Sequence, residues 1–164
     1  MTRDELLDLP LKDYFDYFEN SLQKNVNLEQ LTGLFTELHY QEKKPYLTRR
    51  LLPPKDKRFK EIEIVYDPNN SHKLKAIVWG FKITLRELSN LFGKPSLHYE
   101  PYSDSTVFAF NNSKNPDIDV IKTRYSQSSN DIIDLKGLEL ADLKGISNQI
   151  LDLKFTFLQF NLKD

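Results

Sequence analysis

In the N-terminal part of the chain, apolar residues recur at steps of three and four. Leu7, Leu11, Tyr14, Phe15, Phe18 and Leu22 form one stripe, and Leu28, Leu31, Leu34, Phe35 and Leu38 form a second. This is the pattern of two amphipathic helices, each burying one side. Pro10 fits the first turn of the first helix, where a missing N–H costs nothing. Asn27 followed by Gln30 resembles a capping box for the second. Gly33 inside that helix costs about 1 kcal/mol relative to Ala and predicts a short element. From Tyr40 to Arg58 charges and prolines break the pattern, leaving a connector that can contain an edge strand.

Period-two alternation begins at Lys60. Ile62, Ile64 and Tyr66 share one side of a strand, and Glu61, Glu63 and Val65 the other. Asp67-Pro68-Asn69-Asn70-Ser71 has the chemistry of a turn, since proline presets φ and asparagine tolerates positive φ. The next strand, Leu74 to Ile83, aligns Ile77, Trp79, Phe81 and Ile83, so the two form an antiparallel hairpin with Trp79 in the core. Thr84-Leu85-Arg86-Glu87 is a capping box, Leu85 to Phe92 a helical stripe, and Gly93 with Pro95 a stop. Three strands follow at Ser96–Tyr102, Ser105–Phe110 and Ile118–Tyr125. The Asp-Leu-Lys triplets at 134, 142 and 152 have too short and too uneven a spacing for a solenoid repeat. Leu151 to Leu162 is apolar on both sides, Leu153, Phe155 and Phe157 against Leu158, Phe160 and Leu162, as in a central strand.

Together these elements predict a single α+β domain over residues 1–164: two N-terminal helices packed on an antiparallel sheet of about five to seven strands, with one short helix after a hairpin. A length of 164 residues with 39% hydrophobic and 12% aromatic residues is enough to build one substantial core. The formal net charge of -1 provides no global field for nucleic acid or anionic lipid. Neither partner is expected, and the lack of any apolar run near 20 residues predicts no membrane span. A soluble, cytoplasmic chain, monomeric or weakly dimeric, is the expectation. Locally, Lys43, Lys44, Arg49, Arg50, Lys55, Lys57 and Arg58 make a basic stretch, read as ordinary solvated charge.

Candidate chemistry is sparse. There is no cysteine, so disulfides, thiolate metal sites and thiol nucleophiles are excluded. His39, His72 and His98 lie far apart, and five glycines form neither a phosphate-cradling loop nor a nucleophile elbow. No cofactor or metal is expected. Paired carboxylates meet only in three dimensions, so an enzyme or small-ligand binder with a cleft between helices and sheet stays open as an alternative, as does a structural subunit or adaptor. The segment around Tyr99, Glu100, Tyr102 and Asp104 sets two tyrosines among acidic residues beside Pro101, which discourages central pairing. It is the candidate partner-binding loop.

Residues 59–110 carry an alternating strand, Ile62-Glu63-Ile64-Val65-Tyr66, then a turn, then Ile77-Val78-Trp79, and a short helix closing on Gly93-Lys94-Pro95. This run resembles a unit of small bacterial α+β proteins, among them immunity proteins that neutralise a cognate toxin by binding it. The resemblance implies a non-catalytic, protein-binding function with a toxin as partner. It supplies no functional residue.

Overall fold

The computed structural model describes residues 1–126 and 148–164. Its centre is an eight-stranded, wholly antiparallel sheet: β1 (Gln41–Lys43), β2 (Thr48–Leu52), β3 (Glu61–Asp67), β4 (Asn70–Thr84), β5 (Ser96–Glu100), β6 (Ser105–Phe110), β7 (Ile118–Ser126) and β8 (Lys154–Leu162), in the order β1-β2-β3-β4-β8-β7-β6-β5. The sheet is larger than the five to seven strands expected, because the connector contains two strands, β1 and β2. The α+β class stands. The Asp-Leu-Lys triplets at 134 and 142 lie outside the described residues.

Three helical segments precede the sheet: α1 (Arg3–Leu7), α2 (Leu11–Ser21) and α3 (Leu28–Gly33). Thr2 and Glu5 cap α1 reciprocally, and the Asn27 side chain accepts from the N–H groups of Glu29 and Gln30 to cap α3. The single first helix expected is in fact two. Pro10 stands at the N-cap of α2 rather than inside a first turn, and Leu6, not Leu7, is the buried residue of α1. After β4 comes α4 (Leu85–Phe92), with the reciprocal Thr84–Glu87 cap and Gly93 at φ +82°. A last short helix, α5 (Asn148–Leu151), leads into β8.

Helices α1 to α4 bury their apolar residues on one side of the sheet. Trp79 of β4 is fully buried, ringed by Phe15 and Phe18 at 5.4 Å, Phe35 at 6.2 Å and Phe160 at 4.9 Å. Its Nε1–H donates to Tyr14 Oη at 2.9 Å, so the deeply placed indole has its polar atom satisfied. Phe92 of α4 reaches the same cluster through Phe15 and Phe160. Arg58 ties α1 to the sheet: its guanidinium donates to the carbonyls of Leu6 and Leu9, pairs with Asp56 at 2.7 Å and lies over the Tyr14 ring.

The order of elements has an approximate two-fold character. Each half begins with helix and then runs four strands from an outer edge to the centre, where β4 and β8 pair. In this order the β1–β2 hairpin corresponds to the β5–β6 hairpin, and each turn contains a Pro-Tyr pair, Pro45-Tyr46 and Pro101-Tyr102. No described helix is long and apolar enough to cross a membrane.

Candidate functional site

The alternation that sends Ile62, Ile64, Ile77, Trp79, Leu158 and Phe160 under the helices turns their neighbours to the opposite side of the sheet, which carries none of α1 to α4. Register aligns these neighbours in rows. One row runs Leu51, Glu63, Val78, Gln159, Lys122, Ala109 and Ser96; another sets Glu61 beside Gly80 and Phe157. Among the described residues, depressions open on this side at two places. The larger, of about 630 Å³, has Val78, Gly80 and Phe157 in its lining, with Lys57, Lys60, Lys82 and Glu61 around them. The smaller, of about 150 Å³, lies between Val107, Lys122, Arg124, Phe157 and Gln159. Between helices and sheet, by contrast, the space beside Tyr14, Phe35 and Ile62 is only about 10 Å³. That is room for about one water. A depression of about 440 Å³ opens among the N-terminal helices themselves, beside Tyr17, Leu22, Gln30 and Leu34.

The four residues expected to bind a partner gather at one corner of the sheet, where β5 ends in a 3-10 turn, Pro101–Ser103. Tyr99 Oη donates to Asp104 Oδ1, and Asp104 holds the left-handed conformation at φ 45° that reverses the chain into β6. Ser103 Oγ lies 3.3 Å from Glu100 Oε2 and 2.7 Å from Ser105 Oγ. Arg124 Nη2 donates to Glu100 Oε2 at 2.8 Å, and His98 Nε2 is 3.5 Å from its other oxygen. Desolvation pushes the Glu100 carboxyl up, but the Arg124 guanidinium and the hydrogen bonds of His98 and Ser103 outweigh it and hold Glu100 below the usual carboxylate range. Tyr102 itself projects outward, 88% exposed.

The matching corner was not expected as a site. Tyr46, also 88% exposed, follows Lys43, Lys44 and Pro45 in the β1–β2 hairpin, so this second Pro-Tyr turn lies beside lysines. The shared dipeptide was the available sequence signal. Nor is the basic stretch uniformly solvated. Arg50 is only 7% exposed, its guanidinium stacked between Tyr40 and Tyr66 at 4.8 and 5.1 Å and paired with Glu29 at 2.9 Å and Glu42 at 3.3 Å. Arg49 pairs with Glu63 at 2.7 Å, and Lys55 with Asp4 at 3.0 Å. These cations hold β1, β2, β3 and α3 together.

No protein-family model, curated protein or solved structure matches this chain. Among the described residues, no three His, Asp or Glu side chains come together as a metal site.

Proposed function

We propose that this chain is a non-catalytic protein-binding domain whose anchor is the Tyr102 corner. The narrower form of this reading is an immunity-type inhibitor that occludes a toxin. The observation that supports it is Tyr102: a large aromatic side chain 88% exposed, on a turn whose neighbours Tyr99, Glu100, Ser103 and Asp104 are all tied by hydrogen bonds or ion pairs. An exposed aromatic on a mobile loop loses conformational freedom when it binds. One on a fastened turn loses little, and so behaves as a preorganised anchor. Glu100 is already paired with Arg124, so the exposed Asp104 is the anionic neighbour of Tyr102, which suits a partner presenting a cationic group beside an apolar pocket.

The test is affinity capture from the native cell with wild-type protein and Tyr102→Ala in parallel, followed by calorimetry on the captured partner. Truncating a hot-spot residue costs about 2 kcal/mol or more, close to a thirtyfold loss of affinity. Tyr102 touches solvent, so the melting temperature should stay put. A partner bound equally well by both proteins would sink the corner as the anchor, and capture of none would sink the binding reading. For the immunity form, the captured protein must be toxic and must lose its toxicity when this chain is added.

A further inference from the structure

The larger depression, on the side of the sheet opposite α1 to α4, lies away from the Tyr102 turn, and its chemistry is different. Its lining includes Val78 and Phe157, both partly exposed on a side where their neighbours are mainly polar. Between Phe157 and Glu61 sits Gly80, in the middle of a central strand, where glycine costs roughly 0.5–1 kcal/mol relative to Ala. A Cβ there would stand 3.3 Å from the Glu61 carbonyl oxygen, so the glycine answers first to the neighbouring strand, and it adds no side chain to the floor of the depression. Three exposed lysines, Lys57, Lys60 and Lys82, surround it, and none forms an ion pair among the described residues. The other charges are spent: Arg58 is held by Asp56 and Glu63 by Arg49, which leaves Glu61 as the opposing carboxylate. The volume of about 630 Å³ falls within the range of small-molecule sites, about 300–1,000 Å³.

We propose that this depression binds a small organic anion with an apolar body, the body lying over Val78, Gly80 and Phe157 and the acidic head held by Lys60 and Lys82. Such a ligand meets both halves of the site at once. A neutral apolar molecule leaves the lysines unused, and an inorganic anion leaves the apolar floor wet.

Decanoate is the probe, titrated by calorimetry into the full chain and followed by amide chemical shifts. The expected result is saturable one-to-one binding with the largest shifts at Val78, Gly80 and Phe157. Decyltrimethylammonium, with the same tail and the opposite head, should bind at least about tenfold more weakly. Lys60→Glu combined with Lys82→Glu should weaken decanoate by at least about tenfold, and so should Thr156→Trp, which fills the depression from an exposed position. Absence of saturable decanoate binding, equal binding of the cation, or shifts centred elsewhere would each overturn the proposal. So would an acidic peptide carrying one phenylalanine that shifts these amides where decanoate does not, since the site would then belong to a protein segment. The wild-type shifts decide the matter even if a variant fails to fold. No partner protein is used, so failure here leaves the Tyr102 reading standing.

Discussion

Replacing Phe160 by alanine tests how the two halves of the sheet are joined. Phe160 is fully buried on β8, paired in register with Ile77 of β4 on one side and Ile121 of β7 on the other. Its ring lies 4.9 Å from Trp79, 5.9 Å from Phe92 and 6.1 Å from Phe15, so it contacts α2, α4 and the central strand together. A buried Phe→Ala change costs about 3–5 kcal/mol, and the helices on one side and the sheet on the other give the cavity little room to collapse. Domains of this size have about 5–15 kcal/mol in all, so Phe160→Ala should remain folded but lose a large share of its stability. Urea unfolding followed by Trp79 fluorescence and by far-ultraviolet circular dichroism measures the loss, with the slope of the transition expected to stay unchanged. Phe157→Ala on the same strand is the internal control. Its ring is only partly buried, on the side opposite α1 to α4, and it should cost no more than about half as much. Equal costs for the two would refute the assignment of β8's sides. Truncation before Lys154 removes Phe155, Leu158, Phe160 and Leu162 at once and should abolish the cooperative transition; a truncated chain that still unfolded cooperatively would contradict the central position of β8.

Two further substitutions probe local features. Gly93 ends α4 at φ +82° and ψ -158°, a region almost closed to residues with a Cβ, and an added Cβ would stand 3.2 Å from the Asn112 side-chain nitrogen. Gly93→Ala should cost about 1–3 kcal/mol in the same urea assay, and a neutral result would contradict the geometry. The hydrogen bond from Tyr66 Oη at 2.6 Å, aided by the Arg50 charge against the opposing effect of burial, holds the Glu42 carboxyl below its usual range. The folded state therefore favours the ionised form. Its contribution is present above the ordinary carboxylate value and is lost as pH falls through the lower folded value. Glu42→Gln should flatten the acid limb of the stability curve, and an unchanged limb would remove Glu42 from that role.

Much of the fold was legible where side-chain pattern and environment agree. The β3–β4 hairpin alternates cleanly, Trp79 lies where its apolar neighbours place it, and α4 begins at the Thr84–Glu87 cap and stops at Gly93. The misses have physical causes. β2 turns Thr48 and Arg50 inward, so two polar residues occupy core positions and conceal the alternation. Arg50 is tolerated there because Tyr40, Tyr66, Glu29 and Glu42 surround its guanidinium. The break between α1 and α2 is invisible to periodicity, because the apolar stripe continues across it. On β8 the expected separation of Phe155 from Leu158 fails: a register shift opposite Gly80 and Ile83 sets both on the buried side and leaves Thr156 and Phe157 on the other. Pro101 among tyrosines and acids marked the Tyr102 turn as an exposed loop. The larger depression had no such marker, since Glu61, Gly80 and Phe157 become neighbours only when three strands pair.

The seam between β4 and β8 also sets the tempo of folding. Every other strand pair except β7–β8 joins neighbours in the chain across a hairpin or short loop, whereas Ile77 and Phe160 meet from about eighty residues apart. Closing so long a loop costs entropy before any contact rewards it, so local hairpins form early and the seam forms late. Until it does, the apolar edges of two half-sheets stand open together. The interval before closure is when this chain is most exposed to misassociation with a second copy.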